Sequence, residues 1–219
     1  MATLDTILSH VQLPESKRDL TWEKTFLKLL PDAFATLVSD TPESGPDNFP
    51  YLLVDILPTS QEPIVNILDW LTAKGIGLVI NAKKNYPDYI LSFGMLWNFR
   101  ERKEFYTDNP IQADKVFVVE PSTEFIAGAP HPQYLPDYVR SIIRQFLIEQ
   151  GVFRPRILVI GNPNQTAHSQ FDLCFSIEAL GNPPQQEHEG ILKALSWFLP
   201  PHYSLALVSE KGLPAFVDL

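Results

Sequence analysis

Tyr138-Val139-Arg140-Ser141-Ile142-Ile143-Arg144-Gln145-Phe146-Leu147 lies at the centre of the stretch that decides the fold, Phe125 to Glu210. Tyr138, Val139, Ile142, Ile143, Phe146 and Leu147 fall at helical spacing, while Arg140, Ser141, Arg144 and Gln145 face away. The periodicity predicts a helix from Pro136 to Gln150, with Gly151 placed to end it. Before it comes Phe125-Ile126-Ala127-Gly128-Ala129-Pro130; after it come strand-like runs at Ile157–Ile160 and Phe171–Ile177. A second helix from Glu187 to Leu199 leads into a strand at Tyr203–Ser209. An α-β-β-α-β order reads as a sheet with helices packed against it, an α+β class.

Working outward, Leu4, Ile7, Leu8 and Val11 predict a short N-terminal helix. A second helix carries Trp22, Phe26, Leu29 and Leu30 on its apolar face, with Thr21 as its cap. Ser39–Pro50, rich in acidic residues and prolines, reads as an exposed loop. Tyr51–Leu57 is a strand containing Asp55. A helix from Gln61 to Lys74 follows, capped by Thr59 or Ser60 and stopped by Gly75. Gly77–Ala82, Asp88–Phe93 and Lys115–Glu120 are further strands. Residues 95–106 mix aromatics and charges without a clean period, and no element is assigned to them. Strand, helix, strand, strand recurs in both halves, and Leu68-Asp69-Trp70 sits where Leu195-Ser196-Trp197 sits. The expectation is two lobes of mixed sheet with helices on the faces, pseudo-repeated or alike by chance, divided as residues 1–122 and 123–219.

Bulk properties narrow the function classes. The chain has 219 residues, 45% hydrophobic and 20% charged, as in an ordinary globular protein. A formal net charge of −9 weighs against nucleic acid, whose phosphate backbone calls for clustered Lys and Arg. No apolar run approaches the roughly 20 residues of a membrane helix, and Met1-Ala2-Thr3-Leu4-Asp5 lacks a secretion signal, so a cytoplasmic location is expected. The single cysteine, Cys174, lies in an apolar run and reads as buried and inert. Glu187-His188-Glu189 is the nearest approach to a metal cluster, but neighbouring helical residues point about 100° apart. No metal or cofactor is expected. No nucleophile elbow, phosphate loop or dinucleotide fingerprint occurs: Ser92-Phe93-Gly94 lacks an elbow's first glycine.

The Phe125–Pro130 run, the helix after Pro136, Arg156-Ile157-Leu158-Val159-Ile160 and Leu199-Pro200-Pro201 together resemble the C-terminal domain of the enhanced-serine-sensitivity (SseB-like) family. Gly77-Leu78-Val79-Ile80-Asn81-Ala82 resembles a segment of that family's N-terminal domain, with Ala82 and Lys83 standing where the family has Pro and Gly. The resemblance implies a bacterial cytoplasmic protein without established catalytic residues. Asn81–Tyr106 is the candidate contact surface, since Lys83, Lys84, Arg100 and Arg102 interleave with Tyr86 and Trp97. Trp97 is its expected anchor; the competing reading puts the aromatics in the core and the charges in water. The functional expectation is a non-catalytic binding or adaptor module for a protein partner or for self-association. The alternative is a small-molecule hydrolase or transferase with its site between the lobes.

Overall fold

A computed structural model describes residues 2–84, 86–106, 126–161 and 171–219. The chain forms two compact units, Met1–Tyr106 and Thr107–Leu219. The division falls at Tyr106 and Thr107, ahead of the boundary after residue 122 read from the sequence. The strand expected at Lys115–Glu120 lies outside the described residues.

The first unit opens with helices α1 (Ala2–Val11) and α2 (Leu20–Leu29). Asp19, two residues ahead of Thr21, caps α2: its carboxylate accepts the Trp22 N–H at 2.9 Å. Strands β1 (Phe34–Leu37), β2 (Glu43–Ser44), β3 (Pro50–Asp55) and β4 (Glu62–Pro63) follow. The first of these escapes sequence analysis because three of its four positions are exposed, so it shows no apolar pattern. Helix α3 (Ile64–Lys74) then connects to β5 (Gly77–Ile80) and β6 (Tyr89–Leu91), before helix α4 (Phe93–Arg102). The sheet order is β4-β1-β3-β5-β6, with β2 also beside β3.

Strands β3 and β5 are parallel, pairing Tyr51 with Gly77 through Val54 with Ile80. A parallel pair needs a crossover, and α3 supplies it. All four β5 residues are buried, as expected of a strand covered on both faces. Gly75, at φ 72°, ends α3 in the left-handed region. At the other end the expected cap fails. The Ser60 hydroxyl instead receives the Leu57 N–H at 3.0 Å, and the helix starts only after Pro63.

The segment left unassigned is α4. Ser92 caps it, accepting the Met95 N–H, so β6 stops two residues before Phe93 rather than including it. Every position from Phe93 to Phe99 is buried. A helix enclosed all round loses the apolar stripe that sequence analysis looks for. That is why its periodicity is invisible.

The second unit contains β7 (Ile126–Gly128), α5 (Asp137–Glu149), β8 (Arg156–Gly161), β9 (Phe171–Ser176), α6 (Gln185–Ser196), β10 (Ser204–Val208) and β11 (Val217–Asp218). Its sheet runs β10-β9-β8-β11, with β7 also beside β8. Among the described strands of this unit only β9 and β10 are parallel, and α6 is their crossover. Val139, Ile143 and Leu147 form the buried face of α5. Each unit thus carries an α+β mixed sheet, and the two sheets are separate. Each unit has one parallel strand pair joined across a helix, β3-α3-β5 and β9-α6-β10. The last strands differ: β6 lies beside β5, whereas β11 lies beside β8.

Candidate functional site

In the first unit, β3 and β5 end side by side at Asp55 and Ile80, and the chain turns sharply at Asn81. Asn81 adopts φ 57°, a left-handed conformation that Asn tolerates better than most residues. Its backbone N–H reaches the Val54 carbonyl at 2.7 Å, and its Oδ1 accepts the Ile56 N–H at 2.8 Å. The turn therefore locks the carboxyl ends of both parallel strands together. Ligand sites in open sheets commonly lie outside such strand ends.

A cleft of about 1350 Å³ opens there. The sheet ends supply Asp55, Ile56, Asn81 and Asp88; α1, α2 and their connection supply Val11, Arg18, Trp22 and Glu23; the β5–β6 loop adds Lys83, Lys84 and Tyr86. Asp88 sits at its base with a side chain only 1% exposed. Three cationic or amide groups converge on that carboxylate. Arg18 Nη1 stands 2.8 Å from Oδ1, Lys84 Nζ 2.6 Å from Oδ2, and Asn81 Nδ2 2.5 Å from Oδ2. Burying an anion is costly unless it is paired and hydrogen-bonded, and here it is both.

The two cations also serve the end of α1. Arg18 Nη2 and Lys84 Nζ donate to the Val11 carbonyl at 3.0 and 2.9 Å, and Arg18 Nε reaches Leu13 O at 3.0 Å. Positive charge at a helix C-terminus is favourable. The Arg18 guanidinium also stacks over Trp22, 4.8 Å from the ring centroid. On the opposite wall Tyr89 Oη donates to Glu23 Oε1 in a short hydrogen bond. Burial first, and the Glu23 bond second, push the Tyr89 hydroxyl well above its ordinary pKa. Within this network Arg18, Lys84, Asp88, Tyr89 and Glu23 are committed to one another. Lys83, by contrast, has a side chain 71% exposed and only a 3.5 Å pairing with Asp55. Tyr86, 71% exposed, stands beside it at the mouth.

Of the six residues expected to form a contact surface, the structure brings Lys83, Lys84 and Tyr86 together on this cleft. Trp97, Arg100 and Arg102 lie elsewhere, on α4. Trp97 is 1% exposed and is a core residue, not a surface anchor; the enclosure of α4 is the physical reason. Arg100 and Arg102 are exposed at the end of the same helix, and Arg100 Nη1 approaches Thr72 Oγ1 at 3.4 Å. Sequence analysis missed Arg18 and Glu23, and within Asn81–Tyr106 it singled out neither Asn81 nor Asp88. Isolated polar residues in separate segments show no spacing signal, although an Asn directly after an apolar strand is a hint of a left-handed turn.

The second unit has a polar cluster at the corresponding strand ends. Ser209 Oγ donates to Glu178 Oε1 at 2.5 Å, and the Glu210 N–H reaches Glu178 Oε2 at 3.0 Å. These bonds, the serine's first, hold the Glu178 carboxyl below its usual range. Ser176 Oγ donates to Glu210, which also pairs with Arg156 at 2.5 Å. The bonds tie the exit of β9 to that of β10. Cys174 is 1% exposed within β9, and burial, followed by the nearby Asp172 charge, pushes its thiol up to about 12.

Among the described residues no group of three His, Cys, Asp or Glu side chains is placed to hold a metal ion, and no helix is long and apolar enough to cross a membrane. Comparison of the chain with family models, curated proteins and solved structures gives no match.

Proposed function

We propose that this chain is a non-catalytic binding or adaptor module of SseB-like type, acting in the bacterial cytoplasm, and that the cleft at the ends of β3 and β5 receives a peptide segment of a protein partner. The saturation of Asp88 carries the reading. Arg18, Lys84 and Asn81 occupy this carboxylate, so it acts within the fold and not on an occupant of the cleft. The cleft volume of about 1350 Å³ exceeds the roughly 300–1,000 Å³ of sites for drug-sized ligands. An elongated occupant fits that size better. Lys83 offers it a charge-assisted contact and Tyr86 a flat apolar face.

A displayed random-peptide library, panned on the full chain, tests this. Peptides enriched on the wild-type chain should be lost on a Lys83→Glu/Tyr86→Ala double variant whose melting temperature is unchanged. Enrichment that survives the double variant overturns the assignment of the cleft.

A further inference from the structure

We propose that an arginine cluster on the second unit, with Phe153 at its rim, docks an acidic segment of a partner protein. The cluster is built around Asp218 of β11. Arg154 grips its carboxylate with two parallel bonds, Nε to Oδ1 at 2.7 Å and Nη2 to Oδ2 at 2.8 Å. Arg140 Nη2 donates to its backbone carbonyl at 2.7 Å, and Arg156 is its cross-strand partner on β8. The charge of Arg144, one helical turn beyond Arg140 on α5, also acts on this carboxylate. Four guanidiniums from a helix, a loop and a strand thus gather around Asp218, with Glu210, paired with Arg156, and its neighbour Glu178 at the edge.

The concentration stands out against the chain's net charge of −9. A basic spot on an acidic molecule steers an acidic segment toward it. Arginine is suited to the task because its planar fork meets carboxylates in pairs, as Arg154 already does with Asp218. That internal pair is exposed, with side chains 70% and 53% accessible. Exchanging it for a partner's carboxylate therefore costs little.

Phe153 adds the apolar half. It is 94% exposed, yet its loop is fastened on both sides. Gly151 turns out of α5 at φ 88°, the Val152 N–H returns to Leu147 O at 2.9 Å, and Pro155 O receives the Leu219 N–H at 3.0 Å. A large ring held out in water next to Arg154 matches the aromatic-and-arginine composition of interface centres. Four cations interspersed with the carboxylates of Asp218, Glu210 and Glu178 make a poor track for a phosphate backbone, so an acidic protein segment is the better fit.

The probe is a fluorescein-labelled peptide of Glu and Leu, titrated with the full chain and followed by anisotropy. Binding should weaken as salt rises. Arg144→Glu should lower affinity by about tenfold or more, and Phe153→Ser should lower it several-fold, both with unchanged melting temperature. Lys83→Glu/Tyr86→Ala should leave it unaltered, which separates this surface from the cleft. Equal binding of the Arg144→Glu chain, equal binding of a peptide with Gln in place of Glu, or displacement of the peptide by duplex DNA at equal charge would each overturn the proposal.

Discussion

Asn81 and Asp88 hold each other across the turn between β5 and β6, with Nδ2 2.5 Å from Oδ2. Asn81 faces both ways. One end of its amide restrains the buried carboxylate, and the other accepts the Ile56 N–H beyond β3. Asp88 in turn gathers Arg18 and Lys84, which close the end of α1. One carboxylate thereby fastens the N-terminal helices to the ends of the parallel strands.

Asp88→Ala should therefore destabilise the first unit far more than removal of a surface charge. Deleting one partner of a buried ion pair leaves the other uncompensated and costs roughly 3–5 kcal/mol. Lys84 is 45% exposed on its side chain and can recover water, so the lower end is expected. Urea denaturation of wild type and variant measures it. A loss below about 1 kcal/mol, the value of an exposed pair, would remove Asp88 from this role.

Gly77 is required by its neighbours. A Cβ there would fall 2.6 Å from the Tyr51 ring and 2.8 Å from the Leu91 carbonyl oxygen. The ring is buried and tied to Asp47 through its hydroxyl at 2.7 Å, and the carbonyl belongs to the β5–β6 ladder. Gly77→Ala should cost about 1–3 kcal/mol, the range for overpacking a core. Shortening Tyr51 to Val in the same chain should recover only part of the loss. Complete recovery would mean that the backbone contact is harmless.

Trp97→Ala separates core from contact surface. At 1% exposure the indole is among the largest fully buried side chains. Truncation should cost roughly 3–5 kcal/mol and lower the melting temperature. Preserved melting together with altered association would restore Trp97 as a surface residue.

The Cys174 thiol should react with a disulfide reagent slowly in native buffer and quickly in denaturant. Its pKa is raised from 9.0 to about 12 by burial. A raised folded value contributes stability that is present below the unfolded value and lost as pH rises through the folded one. Stability should therefore decline between about pH 9 and 12, and the upward shift of Tyr89 adds to the decline in the same direction. Cys174→Ser should make the alkaline limb shallower. An identical limb in the variant would show that Cys174 contributes nothing to it.

Much of the architecture could be read before any coordinates. The amphipathic period of α5, the glycine stops at Gly75 and Gly151, and the apolar runs of β5, β8 and β9 are local signals, and each element formed where its pattern stood. That Lys83, Lys84 and Tyr86 share one loop could be read as well, because they are close in the chain. The burial of Trp97 could not. Its alternation with Phe99 looks the same in sequence whether the helix is enclosed or exposed, and only packing against the rest of the fold decides which.

The chain's own order of residues determined its α+β class and the burial of Cys174, because these follow from propensity and period within short windows; which strands pair in parallel only the fold decided. Tertiary structure alone decided the clamp on Asp88 and the arginines around Asp218. The clamp joins Arg18 to Asp88, and the cluster joins Arg140 to Asp218. Charges that far apart in the chain carry no mutual pattern in sequence. They acquire a joint chemistry only when folding removes the water and distance between them.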